Sequence, residues 1–127
     1  IQHMAELSEH ERAGLISAFN QLERAADFMV VDTAAGIAAN TLDFCDASHE
    51  VLVVVTDDPA SLTDAYATIK VLNQRSRRNR FRVLVNMAQD DQVARKIYRR
   101  LLEVTDRYLD VALDLAGVIP LDGHVRS

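Results

Sequence analysis

Short runs of apolar residues alternate along the chain with segments whose apolar residues recur every three or four positions. Four of the runs are nearly continuous in apolarity and rich in β-branched residues, which is typical of parallel strands buried on both faces. They span residues 28–31, 51–55, 81–85 and 116–119. The alternation with helical segments predicts an α/β fold, a three-layer sandwich with a mainly parallel sheet and right-handed crossovers.

The segments with helical periodicity predict four helices, each with one apolar face. Ser8 and Glu11 have the spacing of a capping box at the start of the first helix. Ser61, three residues before Asp64, is the expected start of the third. The helices are predicted over about residues 9–25, after Gly36, and around 62–72 and 93–108.

The composition is that of one globular domain. Of the 127 residues, 49% are apolar and 26% charged, which argues against a disordered chain, and with two prolines and four glycines a Pro/Gly-rich low-complexity chain is excluded. No apolar run approaches the roughly 20 residues that cross a bilayer. The single cysteine excludes an internal disulfide and a zinc site built from cysteines. Together these features favour a cytoplasmic protein.

The net charge of −5 is unevenly distributed. Residues 1–74 carry three basic and twelve acidic groups, which gives −9, and residues 75–127 carry eleven and seven, which gives +4. A cluster of cations can contact phosphates or an acidic partner, or it can be a solvated segment that offsets the end of a helix. We favour the second interpretation and expect no nucleic-acid partner, because only Phe81 could stack on a base. The cluster consists of Arg75, Arg77, Arg78, Arg80 and Arg82.

Candidate chemistry follows the ends of the predicted strands, where open α/β sheets bind their ligands. Asp32 follows the first apolar run, as does the Walker B carboxylate that binds the hydrated metal in Mg²⁺-nucleotide sites; Thr33 could add a hydroxyl and Gly36 a backbone N–H. Alternatively, Asp32 caps the helix after Gly36. Asn86 could read the edge of a base, or it could be a turn residue. The sequence pattern alone decides neither the role of Asp32 nor that of Asn86.

The run from Met29 to Ile37, MVVDTAAGI, resembles the second switch of the MinD/ParA-type (deviant Walker A) ATPases, a branch of the P-loop NTPases. Four later segments, at residues 51–66, 81–88, 104–112 and 117–122, are similar to the flagellar-number regulators of the FleN/FlhG type within this family. The resemblance covers about residues 10–127.

The resemblance implies a role for each matching residue. Asp32 would be the carboxylate linked to Mg²⁺ through water, and Thr33 and Gly36 would belong to the switch that senses the γ-phosphate of ATP. Asn86 would contact the adenine base. Pro120 and Asp122 would lie close to the base or its ribose.

The resemblance also implies partners and location. The family consists of cytoplasmic ATPases that form face-to-face homodimers around ATP and associate peripherally with the inner membrane through an amphipathic C-terminal helix. The flagellar branch restrains an enhancer-binding transcription activator, and it controls the number and placement of flagella.

The sequence departs from the family pattern in three features. The 127 residues contain no G-G-x-G-K-T/S phosphate loop, no first-switch aspartate and no C-terminal membrane helix. We therefore expect a single partial MinD-like domain over residues 1–127, the middle-to-C-terminal portion of such an ATPase, without ATPase activity by itself.

Two other functions compete with this expectation. One is a non-catalytic interaction module that has the fold without the nucleotide site. The other is a receiver-like signalling domain with Asp57 and Asp58 as its acidic pair. The receiver interpretation is disfavoured, because Asn86 stands where a third aspartate is needed and no lysine follows the fourth strand.

Overall fold

The computed structural model describes residues 8–22, 24–34 and 37–122. The chain forms two compact units, one that ends at Ser48 and one that begins at His49. The first unit contains helices α1 (Glu9–Leu22) and α2 (Ala39–Ala47). Both helices were expected from the sequence, although α1 ends three residues earlier than predicted.

Side-chain contacts hold α1 and α2 together. The ring of Phe19 meets that of Phe44 edge-on at a centroid distance of 5.6 Å, and Arg12 forms an ion pair with Asp43 at 3.1 Å. The predicted capping role of Ser8 is confirmed, since its Oγ accepts a hydrogen bond from the backbone N–H of Glu11 at 3.2 Å. This bond satisfies one of the four N–H groups that a helix start leaves without an intrahelical acceptor.

The strand predicted at residues 28–31 is not formed. No residue of this segment belongs to a strand, and Phe28 and Val30 are 91% and 94% exposed. A strand exists only where a second strand accepts and donates its backbone hydrogen bonds, and an apolar sequence cannot supply that partner. The prediction was therefore wrong for this segment, although its composition is that of a strand.

The second unit is a parallel sheet with two crossover helices. The strand order is β1-β2-β3, and both neighbouring pairs are parallel. This confirms the expected α/β fold, with a parallel sheet flanked by helices as in a partial P-loop NTPase of the MinD type. The elements are β1 (Leu52–Val55), α3 (Pro59–Ser76), β2 (Arg80–Ala88), α4 (Asp91–Tyr108) and β3 (Ala112–Pro120).

The core of this unit lies between one face of the sheet and the two helices. Helix α3 contacts β1, α4 contacts β2 and β3, and the helices contact each other, so both lie on the same face. The described residues of this unit therefore form two layers and not the expected three, although the parallel α/β sheet is as predicted. Leu52 and Val54 point away from this core and are each 50% exposed. The buried residues include Val53, Val55, Ile69, Leu72, Phe81, Val83, Val85, Ile97 and Leu101.

Tyr98 joins α4 to the outer strand β3. Its hydroxyl donates a hydrogen bond to the backbone oxygen of Leu113 at 2.9 Å. Burial raises the pKa of Tyr98, and the negative charges of Asp114 and Asp106 raise it further. Because the neutral phenol is the form that donates this bond, the raised pKa preserves the contact.

Two leucines of the second unit provide a matched test of this core. We expect Leu72→Ala to lower the free energy of unfolding by about 2–5 kcal/mol, because Leu72 is fully buried and its removal leaves a cavity. Leu52→Ala, at a half-exposed position, should cost less than about 1 kcal/mol. Urea denaturation of both variants measures the difference, and equal losses would contradict the assigned core.

Candidate nucleotide-binding site

A bulge interrupts β2 at Asn86 and Met87. The pairing with β3 shifts between Val85 and Ala88, and Met87 has a φ of 53°, in the left-handed region. The Oδ1 atom of Asn86 accepts a hydrogen bond from the backbone N–H of Met87 at 2.9 Å. Bulges of this kind redirect side chains and are common beside functional sites.

The end of β3 lies directly beside this bulge. Ala88 is paired with Pro120, and the backbone N–H of Leu121 donates to the oxygen of Ala88 at 2.8 Å. Asn86, Pro120 and Asp122 therefore lie along the same carboxyl edge of the sheet, as expected from the sequence. Their contact with a base stays a prediction.

The carboxyl end of β1 completes this edge. Asp58 is the N-cap of α3 and accepts from the N–H of Ala60 at 3.0 Å, so the helix begins at Pro59. Ser61 is therefore not the start of α3, contrary to the prediction. Its Oγ instead accepts a hydrogen bond from the backbone N–H of Thr56 at 3.0 Å, which ties the strand end to the first helical turn.

The capping role of Asp58 also bears on the receiver-like alternative. In that alternative Asp57 and Asp58 would bind a metal ion together. Asp58 instead satisfies a backbone N–H at the start of α3. This local hydrogen bond accounts for an aspartate at this position without a metal.

Asp32 belongs to the first unit and lies in the segment that precedes α2. It is exposed, Thr33 is half-buried, and Gly36 lies outside the described residues. The N-cap position of α2 is Ala38, which has no side-chain capping bond. Asp32 therefore does not cap this helix, and that alternative is wrong.

Thr41 is a residue of this region that the sequence did not single out. It is buried on α2, and its Oγ1 donates a hydrogen bond to the backbone oxygen of Ala34 at 2.9 Å. The bond fixes the chain two residues beyond Asp32. A threonine inside a helix gives no sequence signal for such a role, because its hydroxyl usually bonds within the helix.

The arginine cluster lies at the opposite end of β2 from the candidate site. Arg78 donates to the backbone oxygen of His49 at 3.3 Å, and Arg82 lies 3.6 Å from Glu50. Arg77 ends α3 in the left-handed conformation, with a φ of 56°. These contacts give the cluster a structural role in the turn between α3 and β2.

No family model matches the chain. It is 52% identical over 126 residues to the antiactivator FleN of Pseudomonas aeruginosa, an alignment that covers 99% of the chain. The chain belongs to the MinD/ParA-type proteins of the FleN/FlhG kind. It is also 44% identical over 78 residues to the flagellum site-determining protein YlxH of Helicobacter pylori, which covers 61% of the chain.

A more distant relative supports the wider family. The chain is 29% identical over 103 residues, 81% of its length, to a chloroplastic homolog of the septum site-determining protein minD from Arabidopsis thaliana. It spans 45% of the length of FleN, 26% of YlxH and 30% of the minD homolog. Within the described residues of this FleN/FlhG-like chain, none of the helices has the length and apolarity needed to cross a membrane.

The backbone of the bulge can be tested at Met87. A φ of 53° is unfavourable for side chains with a Cβ and most unfavourable for β-branched ones, whereas glycine adopts it freely. We expect Met87→Val to lower the free energy of unfolding by about 1–2 kcal/mol. Met87→Gly should leave it unchanged or raise it by up to about 1 kcal/mol. Chemical denaturation that shows equal losses for both variants would contradict the bulge.

Proposed function

We propose that this chain is part of a MinD-type regulator of flagellar number or placement. The whole protein would act as a dimerisation switch driven by ATP, and it would restrain a flagellar enhancer-binding transcription activator. The observation that carries the proposal is the 52% identity to FleN over 99% of the chain, because FleN is an antiactivator. The similarity to YlxH, a flagellum site-determining protein, supports the same cellular process.

In this proposal the carboxyl edge of the sheet holds the base of ATP. The Oδ1 atom of Asn86 accepts a hydrogen bond from the backbone N–H of Met87, while its Nδ2 donates no hydrogen bond within the described part of the chain. The amide therefore has N–H donors that fit a ring nitrogen of adenine. Pro120 and Asp122 would border the base or the ribose from β3.

Asp32 would hold the Mg²⁺ ion through water in this proposal, with Thr33 beside it. An exposed carboxylate that does not cap a helix fits this role, since Mg²⁺ retains several waters and binds one or two carboxylates. The ion would neutralise charge on the phosphates during hydrolysis. The chain contains no phosphate loop, so the phosphates would be held by other residues of the whole protein.

A chimera tests this function. The segment of FleN that aligns with this chain is replaced by the chain, and the chimera is expressed in a P. aeruginosa strain that lacks FleN. We expect the flagellar number of the wild-type strain to be restored, as counted by electron microscopy. An unchanged count, with the chimera folded and expressed at the level of FleN, would contradict the proposal.

Substitutions in the chimera test the individual residues. Asp32→Asn should lower ATP hydrolysis by about a hundredfold, because the amide retains the shape and loses the charge that binds the metal shell. Asp27→Asn, an exposed aspartate in the same segment, is the matched control. Asn86→Ala should weaken ATP binding about tenfold and relax the preference for adenine. Hydrolysis at the unmodified rate by Asp32→Asn would contradict the metal assignment.

A further inference from the structure

One side of α4 carries four exposed residues spaced four apart. Residues at this spacing stack along a single side of a helix. The order along the side is two cations followed by two apolar residues, over a length of roughly 18 Å. We call these residues the α4 row; they are Lys96, Arg100, Val104 and Tyr108.

The position of the α4 row follows from the contacts of its neighbours on the helix. Ala94, Ile97 and Leu101 are buried towards the sheet. Tyr98 lies on the flank that faces β3, because its hydroxyl bonds to Leu113. The α4 row lies on the other flank, and it therefore borders the side on which α3 contacts α4.

The cations of the α4 row have no ion pair among the residues that the structure describes. Lys96 and Arg100 are like charges at a spacing of four, which is unfavourable for the helix itself. Arg95 and Arg99 form a second basic pair on the neighbouring row, which continues to Glu103. Four exposed cations within six positions stand out in a chain with a net charge of −5.

The apolar half of the α4 row is also exposed. Val104 is 39% and Tyr108 66% exposed, although both lie beside the buried side of the helix. An exposed aromatic residue next to an aliphatic one is a common anchor point for a partner protein. The row thus combines a charged half and an apolar half within the length of a short peptide.

We propose that the α4 row is a docking surface for an acidic protein segment that carries an apolar side chain. The carboxylates of this segment would pair with Lys96 and Arg100, and the apolar side chain of the segment would pack on Val104 and Tyr108. The inference rests on the proposed function in one respect, that the segment belongs to the transcription activator. The docking surface goes beyond that function by locating the place on the regulator where the activator binds.

The chemistry of the surface favours a protein over a polyanion. Glu103 interrupts the basic character of the neighbouring row, and Tyr108 is the one aromatic residue of the α4 row. A nucleic acid or an anionic membrane requires a broad basic surface, and the net charge of −5 opposes such binding at long range. A short acidic segment needs only the local complementarity that the row offers.

The test uses the 127-residue chain and the purified flagellar enhancer-binding activator of P. aeruginosa, with binding measured by biolayer interferometry. The double variant Lys96→Glu/Arg100→Glu should raise Kd about tenfold or more. The control Arg95→Glu/Arg99→Glu makes the same charge change on the neighbouring row and should leave Kd within about threefold. Tyr108→Ala should raise Kd about fivefold, with an unchanged thermal midpoint.

The possible outcomes separate the docking surface from the proposed function. If the unmodified chain binds the activator but the two double variants change Kd equally, or not at all, the docking surface is overturned. The proposed function is not contradicted by that result. No binding by the unmodified chain overturns the docking surface, whereas the proposed function is tested separately by the flagellar count in the chimera. Binding of phosphatidylglycerol vesicles or of a 30-base-pair DNA that is lost specifically in Lys96→Glu/Arg100→Glu assigns the row to another ligand and overturns the proposal.

Discussion

The central strand β2 is hydrogen-bonded on both sides, and the rest of the second unit depends on this parallel pairing. At its start, the backbone N–H of Arg82 donates to the backbone oxygen of Val51 at 3.0 Å, and the backbone N–H of Ala112 donates to the backbone oxygen of Asn79 at 2.7 Å. Parallel strands require a return crossover, which α3 and α4 provide. The pairing therefore brings all three carboxyl ends to one edge, which is where the candidate base-binding residues lie.

The extent to which the sequence predicts this fold differs between elements. The helices were predictable because their periodicity is a local property, and Val93 to Tyr108 lie within α4 as expected. The segment at 28–31 has an equally clear strand composition, but strand formation depends on a partner elsewhere. Ser61 was misassigned for a similar reason, since its hydroxyl bonds to Thr56 across the loop and does not cap the helix.

The candidate site was predictable in its position and not in its geometry. Asn86 could be placed at the edge from the rule that ligands bind beyond the carboxyl ends of strands. The bulge beside Asn86 could not be predicted from the sequence, because the register shift and the positive φ of Met87 arise from pairing with β3. The edge and the α4 row would serve different partners, since one lies at strand ends and the other along a helix side.

The most direct measurement of the central claim is a titration of the ¹⁵N-labelled chain with AMP, followed by NMR. If the carboxyl edge binds the base, the amide signals of Asn86, Met87 and Leu121 shift with an affinity of about 1 mM. The same titration of Asn86→Ala should lose these shifts. Shifts confined to the arginine cluster at residues 75–82, or none at the edge up to about 10 mM AMP, would contradict the account.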